Sequence, residues 1–223
     1  HAGKPSTARW QRDEIVLWEE WSKTKAPRAL FYLAQTIECL AGDDRTRQQL
    51  AAHLYDTRAC LDASEEAFVA LVRAAGIHAR FPGRHDTPES ILEERLRAHE
   101  RFPDRPEPLV DAAWAFLRAE RWASAYAFAK MAQGCTPRED ALFLRRTAQW
   151  NETYDILSRA CLHVPGKLEE GLRITRTAAK HLAPGVAAFD WPRKNLAVYR
   201  ERLGIAEPFP EEDAAFVGGP PAL

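Results

Sequence analysis

Chemistry in this sequence would have to come from scattered groups. His78 and His85 flank a loop-like stretch, His99 is followed by Glu100, and Glu94 lies five residues before His99. A metal site on a helix needs ligands three or four apart on one face, so Glu94 and His99 do not make one. Cys39, Cys60, Cys135 and Cys161 are widely separated, with no C-x-x-C pair. That spacing argues against zinc and dithiol chemistry and predicts small buried thiols of a reducing compartment. No Gly-rich phosphate loop, H-E-x-x-H or G-x-S-x-G occurs. The paired carboxylates read as helix-end residues: Asp43-Asp44 caps the helix that follows, and Glu65-Glu66 sits at the positive end of a helix dipole. The expectation is no catalytic residue, no metal and no cofactor in this chain.

What must position these groups is helical. Alternating apolar runs with hairpin turns are missing, while Ala, Leu, Arg and Glu recur at helical spacing. The segments break at Gly42-Asp43-Asp44, Gly76, Phe81-Pro-Gly83, Pro103 to Pro108, Gly134 to Pro137, Pro165-Gly166 and Pro184-Gly185. This predicts about nine or ten helices of roughly 10–20 residues. Pro88, after Asp86-Thr87, is placed for the first turn of one of them.

The breaks have a period. A tetratricopeptide unit is a helix–turn–helix of about 34 residues with small residues where its helices cross and a Pro after the second. With Leu109 at the fourth position, Ala112, Ala113, Phe116, Ala125, Ala132 and Pro137 all take the required types. Leu33, Ala34 and Ala51 fit a first unit, Ala98 and Pro103 a second, and Gly171 and Ala178 a fourth. The predicted fold is all-α: a right-handed α-α superhelix of about four tetratricopeptide-like hairpins, with a capping helix near Trp191–Leu203. Residues 1–25 form a linking helix, 26–204 the repeat domain, and 205–223 an extended Pro/Gly-rich acidic tail anchored by Phe209 and Phe216. Such an array is expected to act as one cooperative domain.

In such a solenoid the first helix of each unit lines the concave groove. That spacing selects Arg28, Gln35 and Glu38 in the first unit, Trp114 and Arg118 in the third, and Arg159 and His163 in the fourth. An aromatic flanked by Arg suits an extended peptide or a carboxylate, because Arg binds carboxylates bidentately and Trp supplies contact area. The alternative is that these side chains meet the next helix or water. Ile15, Trp18 and Trp21 form an apolar stripe on the linking helix, read as packing against the first repeat or touching a further domain.

Net charge is −1, so no bulk field draws nucleic acid or an anionic membrane. Arg145-Arg146 and Arg193-Lys194 read as solvated helix faces. No apolar run approaches the ~20 residues of a spanning helix, and no secretory leader is evident at the start. The expected setting is cytoplasmic, without membrane insertion.

Several segments occur together in order: His1-Ala-Gly-Lys-Pro-Ser6, Arg12-Asp13, Phe31-Tyr-Leu-Ala-Gln35, Leu96-Arg-Ala-His-Glu-Arg-Phe-Pro103, Arg105-Pro-Glu-Pro-Leu109, Ala125-Tyr-Ala-Phe-Ala-Lys130 and Leu168-Glu-Glu-Gly-Leu172. Over about residues 1–204 they resemble the tetratricopeptide-like C-terminal region of bacterial family-2 glycosyltransferases. The family's Trp-Arg ahead of the last unit is Trp150-Asn151 here. The resemblance implies that the nucleotide-sugar fold, its acidic metal motif and its base would lie upstream of His1. It also implies a non-catalytic scaffolding module, with its own catalytic domain, a second copy, or another protein or peptide as partner. The rival readings are a free-standing adaptor for a peptide terminus and, weakest, a small helical enzyme.

Overall fold

The computed structural model describes residues 7–83, 87–138, 141, 144–145, 147–181 and 190–209, without the side chains of 149 and 150. Among them are ten α-helices and no strand: α1 (Thr7–Thr24), α2 (Pro27–Ala41), α3 (Arg45–Ala59), α4 (Glu65–Arg80), α5 (Pro88–Arg101), α6 (Glu107–Arg118), α7 (Trp122–Gln133), α8 (Thr153–Cys161), α9 (Leu168–His181) and α10 (Trp191–Leu203). A π-turn, Ala148–Glu152, leads into α8. Local chemistry sets these ends. Asp44 accepts the Thr46 and Arg47 amides and so caps α3. Ser64 caps α4 through the Ala67 amide, above Glu65 and Glu66 in the first turn. Thr87 and Ser90 exchange hydrogen bonds in a capping box, with Pro88 in the first turn of α5. Gly204, at φ +66°, closes α10 in the left-handed region that an L side chain rarely adopts.

The chain divides into two compact units, residues 1–102 with 140–143, and residues 103–139 with 144–223. In the first, helices α1 to α5 pack in chain order, and α2 also touches α4. Its core joins Leu30, Phe31, Leu33 and Ile37 of α2 to Ala51, Ala52 and Tyr55 of α3, and to Ala70, Ala74 and Ile77 of α4. In the second, α6 to α10 pack in order, with α6 also on α8 and α8 on α10. Its core joins Leu109, Val110 and Ala113 to Ala125, Ala129 and Ala132, and on to Ile156, Leu157, Ala160 and Ile174. Packing of neighbours in chain order is consistent with a helical repeat.

Gly171 marks the closest approach. A Cβ there would overlap the Tyr199 hydroxyl and come 2.5 Å from Cys161 Cβ, so α8, α9 and α10 can meet only over a glycine. Around it the Ser158 and Thr175 hydroxyls bond at 2.6 Å, and the Tyr199 hydroxyl donates to the Ser158 carbonyl at 2.6 Å. Asn151 accepts the Trp191 indole N–H at 3.0 Å and so ties the start of α10 to the entrance of α8.

Three expectations need correction. The apolar stripe of α1 does not face inward as a whole: Leu17 and Trp21 pack on the core, whereas Ile15 and Val16 are each 62% exposed and Trp18 is exposed. Leu17 and Trp21 are one turn apart on the packed face, and Ile15 and Trp18 fall outside it. Of the four thiols, Cys135 and Cys161 are buried but Cys39 and Cys60 are exposed. Arg145 is no solvated face, since it is half-buried and ion-paired.

Candidate functional site

Helix α6 carries Glu107, Asp111, Trp114 and Arg118 at intervals of four, three and four, which places them along one stripe. Arg105 and Glu107 form a buried ion pair, the guanidinium donating to both carboxylate oxygens at 3.2 and 2.8 Å. Glu107 also accepts the Arg145 amide at 3.2 Å, while the Arg145 guanidinium donates to Asp111 at 2.7 Å and lies 3.4 Å from Glu152. Burial alone would lower the Arg145 pKa; Asp111, Glu152 and Glu107 together raise it above its ordinary value. Glu152 accepts the Trp114 indole N–H at 3.3 Å and the Thr147 hydroxyl at 2.7 Å.

Beyond Trp114 comes Arg159 of α8. Its guanidinium lies 5.6 Å from the Trp114 ring centroid, while Nε and one Nη hold Asp155 at 2.7 and 3.1 Å. Burial raises the Asp155 pKa, and Arg159 does not fully offset it. Arg118, one turn beyond Trp114, is exposed. The structure therefore brings Trp114 and Arg159 together and leaves Arg118 in solvent on the same stripe of α6. His163 is exposed but stacks flat on Trp122, with centroids 4.0 Å apart.

In the first unit, Arg28, Gln35 and Glu38 occupy α2. Arg28 lies over the Tyr32 ring at 5.5 Å. Gln35 lines a pocket of about 470 Å³ between α1 and α2, with Trp10, Val16, Leu17 and Tyr32 on its walls. Glu38 accepts the Tyr55 hydroxyl and an Arg73 N–H, both at 2.9 Å, with Arg80 at 3.8 Å. Burial, then the adjacent Glu38 charge, raises the Tyr55 pKa far above the usual phenol value. Glu38 is thus a link from α2 to α3 and α4.

Phe209 packs on Ala179 and Leu196 beside Leu172, with the Arg176 guanidinium 5.5 Å from its ring centroid. Phe216 lies outside the described residues.

For nucleophilic work the two buried thiols are of low reactivity. Burial, helped by Glu107 and Asp104, pushes Cys135 up to about 11; burial, then Glu170, pushes Cys161 up to about 11. Both stay protonated near neutral pH. Among the described residues no group of three or more His, Cys, Asp and Glu is placed to hold a metal ion. His78 meets Glu94 at 3.0 Å and lies 3.8 Å from Asp56, which joins α4 to α5 and α3. No described helix is long and apolar enough to cross a membrane.

The sequence reading missed Arg145, Glu152 and Asp155. The spacing of Glu107, Asp111 and Trp114 was a usable sign of a polar face on α6, but nothing local tells which cation meets it. Two of the quoted segments also converge. Tyr126 donates to Glu170 at 2.8 Å, and Lys130 lies 3.5 Å from the same carboxylate. No family model, curated protein or solved structure matches this chain.

Proposed function

We propose that this chain is a non-catalytic helical-repeat module for interaction and scaffolding. In this reading α2/α3, α4/α5, α6/α7 and α8/α9 are four tetratricopeptide-like hairpins of a right-handed superhelix capped by α10. Helix α1 is the link from a catalytic domain upstream, in a glycosyltransferase-like parent of the cytoplasm. The observation that supports it is packing in chain order, with the first helices of successive pairs also touching: α2 with α4 and α6 with α8. The exposed Ile15, Val16 and Trp18 of α1 supply an apolar face for the neighbouring domain.

Hydroxyl-radical footprinting tests this on the chain alone and on the same chain joined to the polypeptide encoded before it. Ile15, Val16 and Trp18 should lose reactivity in the longer protein. Equal reactivity in both, or sugar transfer by the isolated chain, would overturn the reading.

A second reading, an adaptor for a peptide carboxylate, has its own support in Arg159 lying on Trp114 with Arg118 exposed nearby. Titration with matched peptides bearing free or amidated C-termini separates the two. Only the adaptor reading expects a Trp114 indole shift specific to the free carboxylate.

A further inference from the structure

The pocket of about 470 Å³ between α1 and α2 has apolar walls and a small polar patch. Trp10, Val16, Leu17 and Tyr32 supply the walls, and Gln35 and Thr36 supply adjacent polar side chains on α2. Trp10, Asp13 and Leu17 follow one another at spacings of three and four on α1, as do Tyr32, Gln35 and Thr36 on α2. Each helix therefore turns a single stripe to the cavity. Thr36 is only 3% exposed, so what reaches its hydroxyl must come through this pocket. Thr24, Thr57, Thr175 and Thr177 each turn their hydroxyl back to the carbonyl four residues earlier. Among the described residues, Thr36 has neither that bond nor another partner, and the Gln35 amide has none. At the rim Arg9 and Asp13 stand 3.8 Å apart and offset each other's charge.

We infer that this pocket binds a small, neutral, planar heteroaromatic molecule whose edge carries an adjacent hydrogen-bond donor and acceptor, as a cyclic amide does. Its ring lies among Trp10, Leu17 and Tyr32, where aromatic side chains add stacking or edge contact to the area buried. Its polar edge meets Thr36 and Gln35, since a hydroxyl and a carboxamide can each donate and accept. Satisfying a buried hydroxyl that otherwise has no partner favours a ligand with such an edge over a plain hydrocarbon. The Arg9–Asp13 pair leaves no net charge to attract an anion or a cation. A sugar carries hydroxyls around its whole perimeter, and most of them would face Val16, Leu17 and the ring faces unmatched. The volume falls within the roughly 300–1,000 Å³ of small-molecule sites. This inference goes beyond the scaffolding proposal and does not depend on it, because every wall belongs to α1 or α2.

An NMR titration of the full ¹⁵N-labelled chain tests it, read at the Trp10 indole N–H and assigned with Trp10→Phe. The probe is carbostyril, a bicyclic aromatic lactam. The controls are quinoline, which lacks the amide edge, the anion quinaldate, and methyl β-glucoside. Carbostyril should shift the Trp10 signal saturably, with a Kd of about 1 mM or tighter. Each control should bind at least about threefold more weakly, the loss expected for one unmatched hydrogen bond. Thr36→Val keeps the shape of the side chain and removes the hydroxyl. It should weaken carbostyril about threefold to tenfold and leave quinoline unchanged. No saturable shift with carbostyril, equal binding of quinoline, or preference for quinaldate or the glucoside would each overturn the inference. Undiminished carbostyril binding by Thr36→Val would overturn it as well. The comparison of probes on the unaltered chain relies on no substitution.

Discussion

In the unit built from α1 to α5, the central carboxylate, Glu38, is shared by Tyr55 and by an Arg73 whose side chain is 40% exposed. In the unit built from α6 to α10, Glu107 pairs with an Arg105 that is 1% exposed, and Arg145, Asp111 and Glu152 continue the chain of charges to Trp114. The first unit also buries a cation, Arg58, but its partners Asp62 and Glu66 reach toward water at the α3–α4 turn. The lesson is about replaceability. Where water can reach a broken pair it substitutes for the lost partner, and where it cannot, the remaining charge is stranded.

The largest effect should come from breaking the buried Arg105–Glu107 pair. Glu107→Ala is expected to remove about 3–5 kcal/mol of stability in urea unfolding, the range for breaking a buried ion pair. Glu38→Ala should cost about 1 kcal/mol, because solvent reaches Arg73. Equal losses would break the comparison. Next, Gly171→Ala should cost about 1–3 kcal/mol by overpacking the junction of α8, α9 and α10. In a double-mutant cycle Tyr199→Phe should recover part of that loss, since it removes the overlapping hydroxyl. Strictly additive losses would show that Cys161 Cβ and the Tyr199 ring carbon, not the hydroxyl, set the spacing.

The smallest effect concerns the α3–α4 turn. Burial would raise the Asp62 pKa, but the Ser64 hydroxyl and amide, then Arg58, hold it at about 2, below the usual 3.8. A depressed carboxylate contributes its stability above the unfolded value and loses it as pH falls through the folded one. The window is therefore from near pH 4 down to near pH 2. Asp62 is 40% exposed, so solvent screening reduces the contribution to about 1 kcal/mol. Asp62→Asn should flatten the stability profile in that window, and an unchanged profile would remove Asp62 from the comparison.

Much of the architecture is legible without coordinates. Pro27, Asp44, Ser64, Thr87 with Pro88, and Gly204 mark helix ends because capping and φ preference act within a few residues. Ala112, Ala113, Ala125 and Ala132 are fully buried, as small residues at crossing positions should be. The polar side chains were harder to read. Glu38 and Trp114 were selected as groove residues by spacing, and each turns out to bond a neighbouring element: Glu38 to Tyr55 of α3 and Arg73 of α4, Trp114 to Glu152 at the entrance of α8.

The sequence by itself determined that the chain is helical, where its helices begin and end, and which faces are small or apolar. Those properties depend on neighbours within one or two turns. Only the tertiary structure decided that Arg145 serves Asp111 and Glu152, that Gly171 admits Tyr199, and that Glu170 gathers Tyr126 and Lys130. Apart from Glu152, seven residues from Arg145, each of those partners lies more than 25 residues away along the chain. A long cation or carboxylate looks the same in solvent as in a pair until packing places its partner beside it.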